Sequence, residues 1–175
     1  AREKAQYAQD LFVKETLAAI TAWKDQPFFL YVALTTPHAN NEAAAATGDG
    51  MEVPDRGIYA NEDWPIPERG RAAMISRLDA DVGQILDKLT ELGLDQKTIV
   101  FFSSDNGPHS EGASANTFFS SAGPLKGKKR DLYDGGIRVP TIARWPGRVP
   151  SEKISDYPWG FWDFLPTAAD LAGAP

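Results

Sequence analysis

Apolar residues along the chain fall into two kinds of pattern. In residues 3–23, Leu11, Phe12, Leu17, Ile20 and Trp23 interrupt a background of Ala, Lys, Glu and Gln, which predicts an amphipathic helix. Met74, Ile75, Leu78, Val82, Ile85, Leu86, Leu89 and Leu92 recur at helical spacing more regularly, and Gly93 stands where a left-handed residue would end that helix. The second kind is the continuous apolar run. Phe28-Phe29-Leu30-Tyr31-Val32-Ala33-Leu34 and Thr98-Ile99-Val100-Phe101-Phe102-Ser103 predict strands covered on both faces, as in a parallel sheet. Residues 137–145 offer a third strand, which Pro140 must interrupt or confine to an edge because it lacks a donor. Strand, long helix and strand in this order predict a βαβ unit.

Polar, Gly-rich stretches separate these elements. Residues 39–70, rich in Asn, Gly, Pro and Ala, read as one long loop, and residues 105–136 read as another. A final short helix is expected over residues 162–173, with Asp163 as N-cap, Pro166 in its first turn and Gly173 at its end. The architecture that follows is an α/β sheet sandwiched by helices. Ligands in such sheets sit beyond the carboxyl ends of the strands.

At 175 residues and 42% hydrophobic content, the chain can bury one core, so residues 1–175 are expected to form a single domain. The net charge of -6 argues against nucleic acid as a partner. With 0 cysteines there is no disulfide, no thiolate zinc site and no cysteine nucleophile. No apolar run approaches the ~20 residues of a membrane span. The charged start Ala1-Arg2-Glu3-Lys4 has neither an initiator Met nor a signal-peptide core, and reads as part of a processed or longer product.

Three polar segments adjoin apolar runs. His38 follows the first, and Asp105-Asn106 follows the second. Lys126-Gly127-Lys128-Lys129-Arg130, ahead of Asp134-Gly135-Gly136, precedes the third. A carboxylate beside an amide oxygen suits a hard divalent cation, although Asp-Asn-Gly on its own reads more readily as a reverse turn. A loop histidine is more often a cap than a catalyst. A basic run is usually a solvated patch, but it also favours a sulfate or phosphate oxyanion, and paired glycines permit close backbone approach.

Taken together and in order, these segments resemble the type I sulfatases of the alkaline-phosphatase-like superfamily. The resemblance rests on Pro27 to Tyr31 running to Pro37-His38, on Leu78-Asp79-Ala80-Asp81-Val82-Gly83, and on Ser103-Ser104-Asp105-Asn106-Gly107. It continues through Leu125 to Lys129, Tyr133 to Pro140, and Trp162 to Thr167. It implies an alkaline-phosphatase-like α/β fold of which this chain is a middle-to-C-terminal part. It also implies hydrolysis of sulfate monoesters, with sulfated glycans as the substrate class.

By the same resemblance, Asp105 and Asn106 are two ligands of a Ca2+ ion, His38 contacts the ester as proton donor or oxygen partner, and Lys129 binds a sulfate oxygen. His109, in Gly107-Pro108-His109, resembles a variant of members acting on sulfated sugars and is a candidate substrate contact. Asp134 stands where the family has Glu, a structural rather than chemical departure. The family's formylglycine arises from a Cys/Ser-X-Pro/Ala-X-Arg motif that has no match here, since Ser110 and Ser151 lie in other contexts. Asp79 and Asp81 fall in a stretch that is structural in the family.

The chain alone is therefore expected to be inactive and to bind Ca2+ weakly, on the order of millimolar, because calcium takes six to eight oxygen ligands. Tight binding by calorimetry would contradict this. The upstream part of the domain is an expected partner, and without it apolar sheet edges should promote self-association, against which a monodisperse monomer in light scattering would count. Family resemblance implies a periplasmic, secreted or lysosomal location. Rival readings are a phosphodiesterase or phosphonate monoester hydrolase of the same superfamily, and a non-catalytic binding module.

Overall fold

The computed structural model describes residues 6–174. Five α-helices are present among them, besides three short 3-10 turns: α1 (Ala8–Trp23), α2 (Asn41–Thr47), α3 (Ile66–Glu91), α4 (Asp134–Ile137) and α5 (Phe164–Ala172). Two strands, β1 (Val100–Ser103) and β2 (Thr141–Arg144), pair antiparallel with Ser103 opposite Thr141 and Val100 opposite Arg144. Residues 3–5 of the first predicted helix lie outside the described residues. No helix among the described residues is long and apolar enough to cross a membrane.

Helix α3 is the frame. It starts under Pro65 with Pro67 in the first turn, where a missing N–H costs nothing, and Glu68 beside it favours the positive end of the helix dipole. It stops at Leu92. Gly93 takes φ +68°, and the Leu94 and Gly93 amides bond back to the Leu89 and Thr90 carbonyls at 2.9 and 3.0 Å, so the last turn's carbonyls are satisfied. Val13 and Ile20 of α1 and Ala73, Met74 and Leu89 of α3 are buried. Between these helices a buried polar tie adds to the packing, with Gln9 Nε2 donating to Asp81 Oδ2 at 2.9 Å. Asp81 is thus a structural residue.

Two sequence expectations need correction. The exposure of residues 28–34 alternates residue by residue, as it would in a strand, yet they belong to no ladder among the described residues. The apolar run suits a strand, but a strand also needs a hydrogen-bonded neighbour, and none is supplied here. Among the described residues there is accordingly no βαβ unit, and their sheet is the β1–β2 pair alone. Residues 39–70 are not one loop either, because α2 and the first turns of α3 occupy much of that stretch. Pro140 acts as expected, with β2 beginning at the next residue.

The walls of α3, β1, α5 and residues 28–34 surround an open cleft of about 3060 Å³. Met74, Leu78, Val82, Ile85 and Leu86 of α3 line one side, and Phe101, Phe164 and Leu165 another. Phe29 and Phe164 meet at 6.1 Å, and Phe101 packs on both Phe164 and Trp159. An apolar cleft of this size exceeds what a chain normally leaves bare.

Candidate active site

Four polar segments converge at one end of this cleft: residues 35–40, the loop after β1, residues 109–116, and the turn at residues 126–136. Backbone contacts hold them together. The Gly107 amide donates to the Gly136 carbonyl at 2.9 Å, the Lys129 amide to the Pro108 carbonyl at 2.9 Å, and the Gly135 amide to the Lys126 carbonyl at 2.7 Å. These approaches need glycine. A Cβ on Gly107 would strike the Gly135 carbonyl, and one on Gly136 would strike the carbonyls of Asp131 and Lys128. The paired glycines therefore serve the close approach expected of them, and Lys126, 3.8 Å from the centre of the Tyr133 ring, braces the same turn.

The first turns of α3 grip the third segment. Glu68 is buried and accepts from Ser114 Oγ at 2.9 Å and from the Ala115 amide at 2.6 Å. Arg71 is also buried, and its Nη2 donates to the His109 carbonyl at 2.7 Å while Nη1 donates to the Ala115 carbonyl at 3.2 Å. Burial pulls the Arg71 pKa down from its ordinary value, and the Glu68 charge opposes that fall.

Inside this frame His38 and Lys129 meet directly. Lys129 Nζ lies 3.2 Å from His38 Nε2, and His38 Nδ1 lies 2.9 Å from the Ala39 carbonyl. A carbonyl only accepts, so Nδ1 carries the proton and Nε2 accepts from the lysine. His109 has the opposite arrangement. Its Nδ1 accepts from the Glu111 amide at 3.1 Å, which leaves Nε2–H to donate to the Pro37 carbonyl at 3.0 Å. His109 is buried, with both nitrogens taken by backbone groups, and burial lowers its pKa from 6.5 despite the bond to Pro37. It stands as a pin between two loops, where the sequence had suggested a group open to substrate.

Glu111 completes the cluster. Its Oε2 is 3.4 Å from Lys129 Nζ and 4.0 Å from His38 Nε2, and its Oε1 is 2.8 Å from Arg130 Nη2. The Glu111 side chain is only 11% exposed. Burial alone would raise this carboxyl, but the Lys129 and Arg130 charges, with the Lys129 hydrogen bond, outweigh it and hold the pKa below 4.5.

Asp105 and Asn106 line the same cleft as His38 and Lys129. Asp105 is exposed and its carboxylate has no partner among the described residues. Asn106 Nδ2 donates to the Gly107 carbonyl at 2.9 Å, so its Oδ1 points elsewhere and accepts no bond among these residues. Side-chain oxygens without donors on two consecutive residues are of the kind that suits a hard cation such as Ca2+, which takes six to eight oxygen ligands. The described residues contain no group of three or more acidic, His or Cys side chains able to hold a metal.

A sulfatase family model matches residues 2–174, essentially the whole chain. The chain belongs to the sulfatase family. This sulfatase chain is 33% identical over 162 residues to dog (Canis lupus familiaris) N-acetylgalactosamine-6-sulfatase, covering 93% of itself and 27% of that protein. It is 43% identical over 103 residues to human (Homo sapiens) steryl-sulfatase, covering 58% of itself and 18% of the relative. In three dimensions it resembles the crystal structure of Ps i-CgsB in complex with k-i-k-neocarrahexaose, with a TM-score of 0.77 and 28% identity over 99% of the chain and 36% of that structure. The fold is thus that of the alkaline-phosphatase-like sulfatases, and the chain spans about a quarter of the length of the curated relatives.

Glu68, Arg71 and Glu111 were not legible as site residues. The signal for the first two was present in Trp64-Pro65-Ile66-Pro67-Glu68, a proline-led helix start with an acid in the first turn. Nothing near Glu111 marks it, because its role comes from contact with residues 18 positions away.

Proposed function

We propose that this chain forms one wall of the active site of an enzyme that hydrolyses sulfate monoesters, with sulfated glycans as the substrate class. The observation that carries the reading is the direct meeting of His38 and Lys129, 3.2 Å apart, on the cleft that Asp105 and Asn106 also line. Cleavage of a sulfate ester leaves charge on the sulfuryl oxygens and builds it on the leaving oxygen, so it calls for cations and a proton donor. Lys129 offers an ammonium to a sulfuryl oxygen. His38 Nε2 can carry the leaving group's proton, supplied through the neighbouring ammonium.

Asp105 and Asn106 are the residues that would hold Ca2+. When bound, that ion supplies positive charge to the sulfate oxygens. The formylglycine nucleophile would come from elsewhere in the full-length protein, as would the remaining calcium ligands and the elements that cover the apolar cleft. The glycan preference is supported by the likeness to Ps i-CgsB, whose crystal structure is in complex with k-i-k-neocarrahexaose. His109, pinned by backbone groups, would act on substrate only through the loops that it ties together.

The test is hydrolysis by the full-length protein of sulfated oligosaccharides, an aryl sulfate and the matching phosphate esters. Sulfate esters should be cleaved in preference, and His38→Ala and Lys129→Ala should each cost roughly 10²- to 10⁴-fold in kcat/KM. A preference for phosphate esters, or full activity in both variants, would refute the reading.

A further inference from the structure

We propose that Glu111 is a positioning residue of this site, whose carboxylate holds the Lys129 ammonium against His38 Nε2 and thereby reinforces the Nδ1–H tautomer that the Ala39 carbonyl favours. The inference rests on the sulfatase reading for the roles of Lys129 and His38, but its geometric core does not.

A lysine side chain is a flexible four-carbon stem with a freely rotating ammonium, and nothing intrinsic fixes its direction. Here two contacts do so, Glu111 Oε2 at 3.4 Å and His38 Nε2 at 3.2 Å. The second is weak alone, because a neutral imidazole is a modest acceptor and the His38 side chain is 56% exposed. The first is an ion pair in which Lys129 is 18% and Glu111 11% exposed, so water competes with it little. Without the carboxylate, Lys129 and Arg130 would be adjacent cations with no counter-charge from this loop. The ammonium would then swing toward solvent and leave His38.

Glu111 is itself well held. Its amide is bonded to His109 Nδ1 at 3.1 Å, and its carbonyl accepts from the Ser114 amide at 3.1 Å. Arg130 Nη2 lies 2.8 Å from its other oxygen as an ion pair without a hydrogen bond, and Arg130 takes φ +79°, a left-handed conformation that a non-glycine residue adopts only when its surroundings compensate. The carboxylate is thus fixed from behind and faces the two groups that face the ester. The chemistry gained is a single imidazole tautomer: Nδ1–H directed at the Ala39 carbonyl, with the Nε2 lone pair held on the ammonium, from which it takes the proton that it gives to the leaving oxygen.

The experiment compares Glu111→Gln with the unaltered full-length protein, by kinetics on sulfate esters and by two-bond ¹H–¹⁵N correlation of the histidine rings. The unaltered protein should show His38 as the Nδ1–H tautomer and His109 as the Nε2–H tautomer. In Glu111→Gln, His38, left with the Ala39 carbonyl on one nitrogen only, should average between tautomers, while His109, both of whose nitrogens are bonded to backbone groups, keeps its pattern and reports an intact loop. Activity should fall by roughly 10- to 100-fold in kcat with KM changed much less, and Glu111→Asp should recover part of it. Unchanged kcat, or a His38 tautomer unmoved by the substitution, overturns the proposal. If the unaltered protein cleaves no sulfate ester, the sulfatase reading fails, and the ring spectra alone decide the role of Glu111. Should Glu111→Gln not fold, Lys129→Met removes the other end of the contact and must produce the same averaging at His38; its absence would refute the idea.

Discussion

Arg71 is a buried charge, which is unfavourable unless its donors are satisfied. Its compensation is the pair of carbonyls it satisfies, His109 at 2.7 Å and Ala115 at 3.2 Å. Replacing it by Met keeps much of the stem's volume and removes the cost of burying the guanidinium. It also strands two acceptors at roughly 1 to 3 kcal/mol each, and leaves Glu68 without its neighbouring positive charge. Partial rescue by water at Ala115, the longer bond, should bring the net loss to about 3 kcal/mol. This loss falls on residues 109–116, because those bonds close that segment onto α3. At about 1.4 kcal/mol per tenfold change, amide hydrogen exchange in Arg71→Met should quicken by about 100-fold. The amides to follow are Ser114, bonded to the Glu111 carbonyl, and Ala115, bonded to Glu68. Exchange at both sites within about threefold of the unaltered protein would show that Arg71 does not hold the loop.

Two further outcomes follow from the same geometry. Gly136→Ala would drive a Cβ into backbone carbonyls that cannot rotate away, so it should cost about 1 to 3 kcal/mol by thermal or denaturant unfolding, whereas Gly83→Ala, with open space around it, should cost no such amount. Acidification should loosen the site loops in two stages. The folded pKa of His109 is depressed by burial, so its contribution is complete above 6.5 and is lost as pH falls below that value; that of Glu111 is complete above 4.5 and is lost below it, and hydrogen exchange of residues 107–116 at pH 7, 5.5 and 4 would read both steps. Protection that does not decline across this range would refute the assignment.

How far this arrangement was legible depended on the range of the signal. The body of α3 and its end at Gly93 were readable because a 3.6-residue period and a left-handed glycine are local facts. Its start was missed because residues 66–71 carry their polar groups inward, to Ser114 and His109, and so imitate a loop. Residues 28–34 failed for the opposite reason. Their composition suits a strand, but strand formation depends on a neighbour that local composition does not report. His38 and Lys129 stand out only by the resemblance of their segments to the sulfatase family. Their contact spans 91 positions and was visible only in the fold.

The same distinction explains how the site is built. Its chemical groups stand on loops, which are normally the softer part of a structure. Rigidity must then come from contacts that loops do not usually make. Here the turn at residues 126–136 lies so close to Gly107 that side chains are excluded, and charges from α3 bond backbone groups in residues 109–116. Glu111 links the two devices, since its backbone belongs to the segment gripped by α3 and its carboxylate reaches the turn that bears Lys129. If Arg71 and Gly136 each disturb the His38–Lys129 contact although neither touches it, the two supports act through that carboxylate; if only direct substitutions disturb it, the loops are held independently.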